Sequence, residues 1–321
     1  MNIDRGDYDA GVTPWDDAAW QAEVLEWTRD TLGDDAVVAA VRLRPWSVLA
    51  RLETAVSGDV WFKANPEGSR FEAALGEGLA RWVPDRVLTP IAVRPERGWA
   101  LWPDGGQVLA EAELPVWEEL LRQYATLQRE LIPHVPEMKH LGVPSATPED
   151  LPALFTRLVD ENPTLLPEER TQLLAKLPLL TSWCEELSTT TPTIPLSLDH
   201  SDLQPSQILS TPPPHRFTFF DWGDATLAHP FTSLLVPTRI ATRHHGPSAA
   251  PRLRAAYLTP WTDTGLSLPA LHRAADLAHR LGAVGRAAAW THVFPTEQGV
   301  PLENLKASAA WLHELFAGEP D

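Results

Sequence analysis

The chain has 321 residues, 44% hydrophobic and 21% charged, a balance that excludes wholesale disorder and suits one large or two ordinary domains. A net charge of −17 argues against nucleic acid or an anionic membrane as the main partner, and a single cysteine, Cys184, excludes an internal disulfide or a Cys-based zinc site. The longest apolar run covers six residues (36–41), far short of the ~20 a spanning helix needs, and the opening MNIDRGDYDAG is acidic where a secretory signal is basic and then apolar; the expectation is a soluble protein of the cytoplasm.

Residues 1–35 form an acidic leader with ten Asp or Glu against Arg5 and Arg29, read as a solvated face, with one amphipathic helix over 15–31. Three strands are predicted at 37–43, 48–55 and 60–64, the last two joined by a hairpin signal at Ser57-Gly58-Asp59. Ser69 and Glu72 have capping-box spacing ahead of a helix over 71–82. Strands at 89–93 and 99–102 follow, ending at Pro103-Asp104-Gly105-Gly106. This makes 36–106 a β-β-β-α-β-β lobe. From 107 to 321 the pattern turns helical, with helices over 114–131, 168–187 (kinked or split at Pro178), 268–294 and 302–316. A non-helical island at 194–223 holds two short apolar runs, 207–209 and 217–220. The 31 prolines lie between periodic segments and read as loop punctuation.

The chemistry concentrates in that island. Asp199-His200-Ser201-Asp202 precedes the strand-like Gln207-Ile208-Leu209, and Asp221 closes Phe217-Thr218-Phe219-Phe220 before the turn Trp222-Gly223. Two acids at loop–strand junctions can face one site, and a carboxylate at a strand end beside a glycine suits a hard cation such as Mg²⁺. Upstream, Lys63 stands alone in the apolar run Val60-Trp61-Phe62-Lys63, the only lysine of the first 138 residues, with Glu72 as its natural partner. Each signal alone has a bland alternative: a solvated lysine, a capping glutamate, a turn aspartate. Their conjunction in this order matches the phosphoryl-transfer template of the protein-kinase type.

On DHSDLQPSQIL, FTFFDWGDATLAHPF, VWFKA, FEAAL and GWALWPDGG, the chain resembles the aminoglycoside phosphotransferase-like small-molecule kinases, the aminoglycoside and choline kinase type, across roughly residues 37–240. The resemblance implies an α+β, protein-kinase-like bilobal fold: a small antiparallel-sheet N-lobe with one helix and a larger, mostly helical C-lobe. It implies ATP or GTP as phosphoryl donor, Mg²⁺, and transfer to a hydroxyl of a small, amino-bearing or sugar-like acceptor. By position, Asp202 orients the acceptor hydroxyl and takes its proton. Lys63, held by Glu72, contacts the α/β-phosphates; Asp221 and Gln207 hold Mg²⁺; His200 braces the loop. Leu101 and Trp102, in the hinge 99–104, offer backbone groups to the base, and Ser47, in Arg44-Pro45-Trp46-Ser47, touches phosphate.

Three positions depart from the family pattern: Ser201 for glycine, Gln204 for histidine and Gln207 for the metal-binding asparagine. Glutamine carries the same carbonyl as asparagine on a longer arm, which motivates an alternative reading as a nucleotide-binding pseudokinase without transfer. A protein kinase is disfavoured by Ser201 between His200 and Asp202 and by Asp-Trp-Gly in place of Asp-Phe-Gly. Other candidates are weaker: His272 and His279 on one helix face, His244-His245 in a polar loop, an inert Cys184, Trp222 as an acceptor-pocket wall, and Asp224 as either a cation receptor or a turn cap.

Overall fold

The computed structural model describes residues 2–55, 58–109, 111–211, 215–296 and 299–317. The expected hairpin residue Ser57 lies outside them. The chain divides into two compact units, Met1–Gly106 with Thr291–Leu302, and Gln107–Trp290 with Glu303–Asp321.

In the first unit the elements run β1 (Asn2–Asp4), α1 (Ala18–Leu32), β2 (Val37–Arg44), β3 (Ser47–Thr54), β4 (Gly58–Ala64), α2 (Glu72–Trp82), β5 (Ala92–Arg94) and β6 (Trp99–Pro103). They build one six-stranded sheet in the order β1-β2-β3-β4-β6-β5, antiparallel except where β1 joins β2 in parallel. Alternation drives it: Val48, Ala50 and Leu52 of β3 and Val60, Phe62 and Ala64 of β4 are buried on one core with Val41, Leu43, Trp99 and Leu101.

The leader is part of this core, which goes beyond the solvated face expected of it. Asp17 caps α1 by accepting from the N–H groups of Ala19 and Trp20 at 2.8 and 2.9 Å. Trp20 and Trp27 then pack their rings on Phe62 and Trp99 at 5.4–6.3 Å. The acids lie on the other faces, so charge and core coexist on one short helix. Segment 291–302 also belongs to this unit: Phe294 is buried in the core, and its N–H donates to the Pro45 carbonyl at 2.7 Å.

The second unit contains α3 (Leu114–Leu131), α4 (Val135–His140), β7 (Ser145–Ala146), α5 (Leu151–Glu161), α6 (Pro167–Ala175), α7 (Leu177–Thr190), β8 (Ser197–Asp199), β9 (Ile208–Ser210), β10 (Phe217–Phe219), β11 (Thr226–Ala228), α8 (Leu235–His245), α9 (Ala249–Leu258), α10 (Leu268–Ala289) and α11 (Leu302–Glu314). The predicted 168–187 helix is two helices, and Pro178 sits in the first turn of α7, where its missing N–H has no intrahelical role. His244 and His245 close the last turn of α8 and are not in a loop as expected. Between the helices, β9 pairs with β10, and β11 lies between β7 and β8. Among the described residues no helix is long and apolar enough to cross a membrane.

Candidate active site

In the second unit the site grows from two short strands. β8 delivers the turn at 199–202, and β10 delivers Asp221. Asp202 Oδ2 accepts from Gln204 Nε2 at 2.8 Å and from Gln207 Nε2 at 2.9 Å. The same Gln207 nitrogen lies 3.5 Å from Asp221 Oδ2, so both acids meet at one amide. The backbone holds them there, because the Phe220 N–H donates to the Gln207 carbonyl at 3.2 Å. His200, fully buried, donates from Nε2 to the Phe220 carbonyl at 2.9 Å and lays its ring 4.6 Å from that of Trp222. The histidine therefore ties the Asp202 turn to the residue preceding Asp221.

Ser201 and Asp221 are the two non-glycine residues with positive φ among those described, at 61° and 65°. A left-handed residue with a Cβ costs about 1–2 kcal/mol, and such strain concentrates where function requires a fixed side chain. At position 201 the fold compensates: the Ser201 N–H donates to Asp199 Oδ1 at 2.9 Å, and its hydroxyl lies 3.3 Å from that of Thr226. This explains how serine stands where the resembling family carries glycine.

A buried polar network supports the turn. Asp199 accepts from the hydroxyls of Thr232 and Ser233 at 2.8 and 2.6 Å. Tyr124 accepts from the His200 N–H at 2.9 Å, and burial, with the Asp199 charge, pushes its phenol well above its ordinary value. Gln128, four residues on, donates to the Leu198 carbonyl at 2.9 Å and accepts from the Tyr257 hydroxyl at 2.6 Å. Tyr124 and Gln128 were not anticipated. Their signal in the sequence is two polar side chains, i and i+4, on the apolar face of an otherwise regular helix.

In the first unit, Lys63 Nζ and Glu72 Oε2 are 2.5 Å apart with both side chains buried. Asn65 Nδ2 donates to the same carboxylate oxygen at 2.5 Å. The capping box expected of Ser69 and Glu72 does not form: Ser69 closes a short 3-10 turn, and α2 begins at Glu72 without a side-chain cap. The Lys63 charge is the better partner for the carboxylate. Ser47 is buried directly after the two-residue turn Pro45-Trp46. Leu101 and Trp102 have their main chains in the sheet: the Leu101 carbonyl accepts from the Ile91 N–H at 2.7 Å, and Trp102 pairs with Trp61. The Trp102 ring lies where a Cβ on Gly76 would come within 2.4 Å of it, so α2 needs glycine at that crossing.

The residue most plainly missed is Arg286 of α10. Its guanidinium is buried, with Nη1 2.7 Å from Asp224 Oδ2 and Nη2 3.3 Å from Asp202 Oδ1. Burial opposes its charge, but Asp202 and Asp224, with Asp199 beyond them, outweigh that and hold it above its ordinary value. Asp224 is thus neither a turn cap nor an available cation receptor. Trp222 is buried beneath the loop, its Nε1 directed at the Phe219 carbonyl at 3.4 Å, and does not wall an open pocket.

Of the remaining candidates, His279 is partly buried, and the desolvation pushes its pKa down to about 4, with Nδ1 3.4 Å from the Thr238 hydroxyl. Burial pushes His229 down to about 3 and the Cys184 thiol up to about 12, in keeping with inert interior groups. Among the described residues no three His, Cys, Asp or Glu side chains gather as metal ligands. The donor set at the Asp202 turn nevertheless fits Mg²⁺. Gln207 Oε1 is buried and accepts no hydrogen bond, and a half-turn of this amide, whose nitrogen faces the carboxylates, would set that oxygen beside the Asp221 carboxylate as a second hard donor. Mg²⁺ takes one or two such protein ligands and completes its shell with phosphate oxygens and water.

No protein-family model matches the sequence, and no curated protein matches it. The fold, however, aligns with solved structures over nearly its whole length. APH(2")-IIia, in complex with GDP and kanamycin, superposes with a TM-score of 0.60 at 15% identity, covering 93% of this chain and 99% of the other. The Plasmodium vivax ethanolamine kinase Pv091845 gives 0.58 at 11% identity, covering 91% and 85%. Macrolide 2'-phosphotransferase MphH from Brachybacterium faecium gives 0.53 at 16% identity, covering 94% and 98%. At these identities the likeness is one of fold, and it agrees with the α+β architecture of an antiparallel-rich N-terminal sheet and a helical C-terminal part. The chain has the protein-kinase-like fold of the small-molecule phosphotransferases.

Proposed function

We propose that the protein transfers the γ-phosphoryl group of ATP or GTP to a hydroxyl of a small, amino-bearing or sugar-like molecule. The observation that carries this reading is the meeting of Asp202 and Asp221 at the Gln207 amide. The fold adds to it, since neighbours are described as a GDP and kanamycin complex and as an ethanolamine kinase. Asp202, held by hydrogen bonds from Gln204 and Gln207 and by its ion pair with Arg286, orients the acceptor hydroxyl and takes its proton as the new O–P bond forms and the bond to the nucleoside diphosphate breaks. In a loose phosphoryl-transfer transition state, positioning and charge stabilisation do most of the catalysis. Lys63, fixed by Glu72, contacts the α/β-phosphates. Asp221 and Gln207 would hold Mg²⁺, which would supply neutralisation of phosphate charge when bound.

One observation favours a second reading, nucleotide binding without transfer: the Gln207 nitrogen, not its oxygen, faces both carboxylates. Incubation with Mg²⁺ and γ-labelled ATP or GTP, against ethanolamine, choline, kanamycin and a neutral sugar, separates the two. The proposal expects label on one acceptor and release of ADP or GDP. Nucleotide that binds but keeps its label supports the second reading, and absence of binding contradicts both.

A further inference from the structure

We propose that Arg286 is a positioning residue for phosphoryl transfer: anchored by Asp224, it fixes the carboxylate of Asp202 in its working orientation. The inference rests on the functional reading above. Its basis is a three-group chain, Asp224–Arg286–Asp202, in which each terminal nitrogen of one planar guanidinium faces a different carboxylate, at 2.7 and 3.3 Å. The arginine comes from α10, 62 residues beyond Asp224, so the chain joins a helix to the two separate loops that carry the acids, one after β8 and one after β10.

Several features of α10 serve this placement. The helix is lined near its end by Leu281, Ala283, Val284, Gly285, Ala287 and Ala289, all buried, and Arg286 is the one charged side chain among them. A Cβ on Gly282 would lie 3.2 Å from the Thr232 carbonyl, so the absence of a side chain there lets the helix approach the segment that also binds Asp199. On its other side the guanidinium carbon lies 6.0 Å from the centre of the Trp311 ring of α11. The remaining donor, Arg286 Nε, is buried and unpartnered. A fork chosen only for burial would satisfy that nitrogen as well. Here the geometry serves the two carboxylates first.

The small cavity beneath the turn, lined by Asp199, Ser201, Thr232, Ser233, Gly282 and Arg286, has a volume of about 10 Å³. That is room for about one water at most; with its side chain only 9% exposed, Arg286 acts through Asp202.

Lysine in place of Arg286 keeps the charge but loses the fork, and a point charge cannot hold both carboxylates in fixed directions. Misplacing a reacting group by an ångström costs about a hundredfold. Arg286→Lys is therefore expected to lower the single-turnover transfer rate by about ten- to a hundredfold, with nucleotide affinity and acceptor KM unchanged. The decisive test is a cycle with Asp202→Asn, using transfer to the best acceptor or, failing one, to water. With Asp202 removed, Arg286→Lys should change the residual rate no further. If Arg286→Lys does not fold, Asp224→Asn, which leaves Arg286 in place but weakens its anchor, takes its part in the cycle.

A folded Arg286→Lys with the wild-type rate overturns the proposal. So does a loss that is equally large in the Asp202→Asn background, which marks a merely structural arginine. A wild-type protein that transfers nothing overturns the functional reading together with this inference, and the wild-type reaction alone reveals that case.

Discussion

Asp202→Asn is expected to lower phosphoryl transfer by about 10²–10⁴-fold while nucleotide affinity stays unchanged. The side chain keeps its shape and one oxygen to accept from Gln204 and Gln207. What it loses is the ability to take a proton from the acceptor and the charge that holds Arg286. Single-turnover transfer, with calorimetric nucleotide binding on the same preparation, separates the two quantities. Undiminished turnover in this variant removes Asp202 from the chemistry. A parallel loss of nucleotide affinity moves its role to the donor side.

The second large effect is on stability. Glu72→Ala removes one partner of a buried ion pair and leaves the Lys63 ammonium without its carboxylate. Breaking a buried pair from one side destabilises by about 3–5 kcal/mol, because the remaining charge stays desolvated. Asn65 also loses an acceptor at 2.5 Å. Urea unfolding should show the drop in midpoint, and nucleotide affinity should fall with it because Lys63 is no longer held. Glu72→Gln, which can still accept from Asn65, should lose less. A Glu72→Ala protein as stable as wild type would mean that the ammonium finds water or another acceptor at no cost.

Several residues of the candidate site stood out in the sequence because they have local signatures. Lys63 stands out as a charge in an apolar alternating strand, and Asp202, Gln207 and Asp221 sit at junctions between polar loops and short apolar runs. Helix α3 was legible to the residue, since its periodicity is strong and uninterrupted. What escaped were features defined by distant partners. β1 is three residues without alternation and becomes a strand only by pairing in parallel with β2. The Ser69–Glu72 spacing is a sound local signal for a cap, overridden when the Lys63 charge claims the carboxylate. α8 and α9 are rich in Thr, Arg, Pro and Ala, and show no clear apolar stripe. Arg286 escaped for the same kind of reason. Periodicity treats an arginine as a solvated residue, and only the fold brings the two aspartates to it. Its one local sign is its setting, a single charge amid buried small residues.

Ser201 adds a different lesson. The sequence marked it as a departure from the resembling pattern, but the structure shows the backbone conformation that makes glycine usual there and the two hydrogen bonds that let serine adopt it. The departure changes the side chain and keeps the turn. Gln207 is the departure with chemical weight, because the atom it would offer a metal is the one it leaves buried without a hydrogen bond.

The most direct test of a metal-dependent nucleotide site is thermal unfolding with ATP and with GTP, each with and without Mg²⁺, on the wild type and Asp221→Asn. A nucleotide at a hundred times its dissociation constant stabilises the folded protein by about 2.7 kcal/mol. The account predicts a rise of that order with at least one nucleotide, dependent on Mg²⁺ and lost in Asp221→Asn. A rise that is the same without Mg²⁺, or that survives in the variant, contradicts the assignment of Asp221. No rise with either nucleotide contradicts the account as a whole.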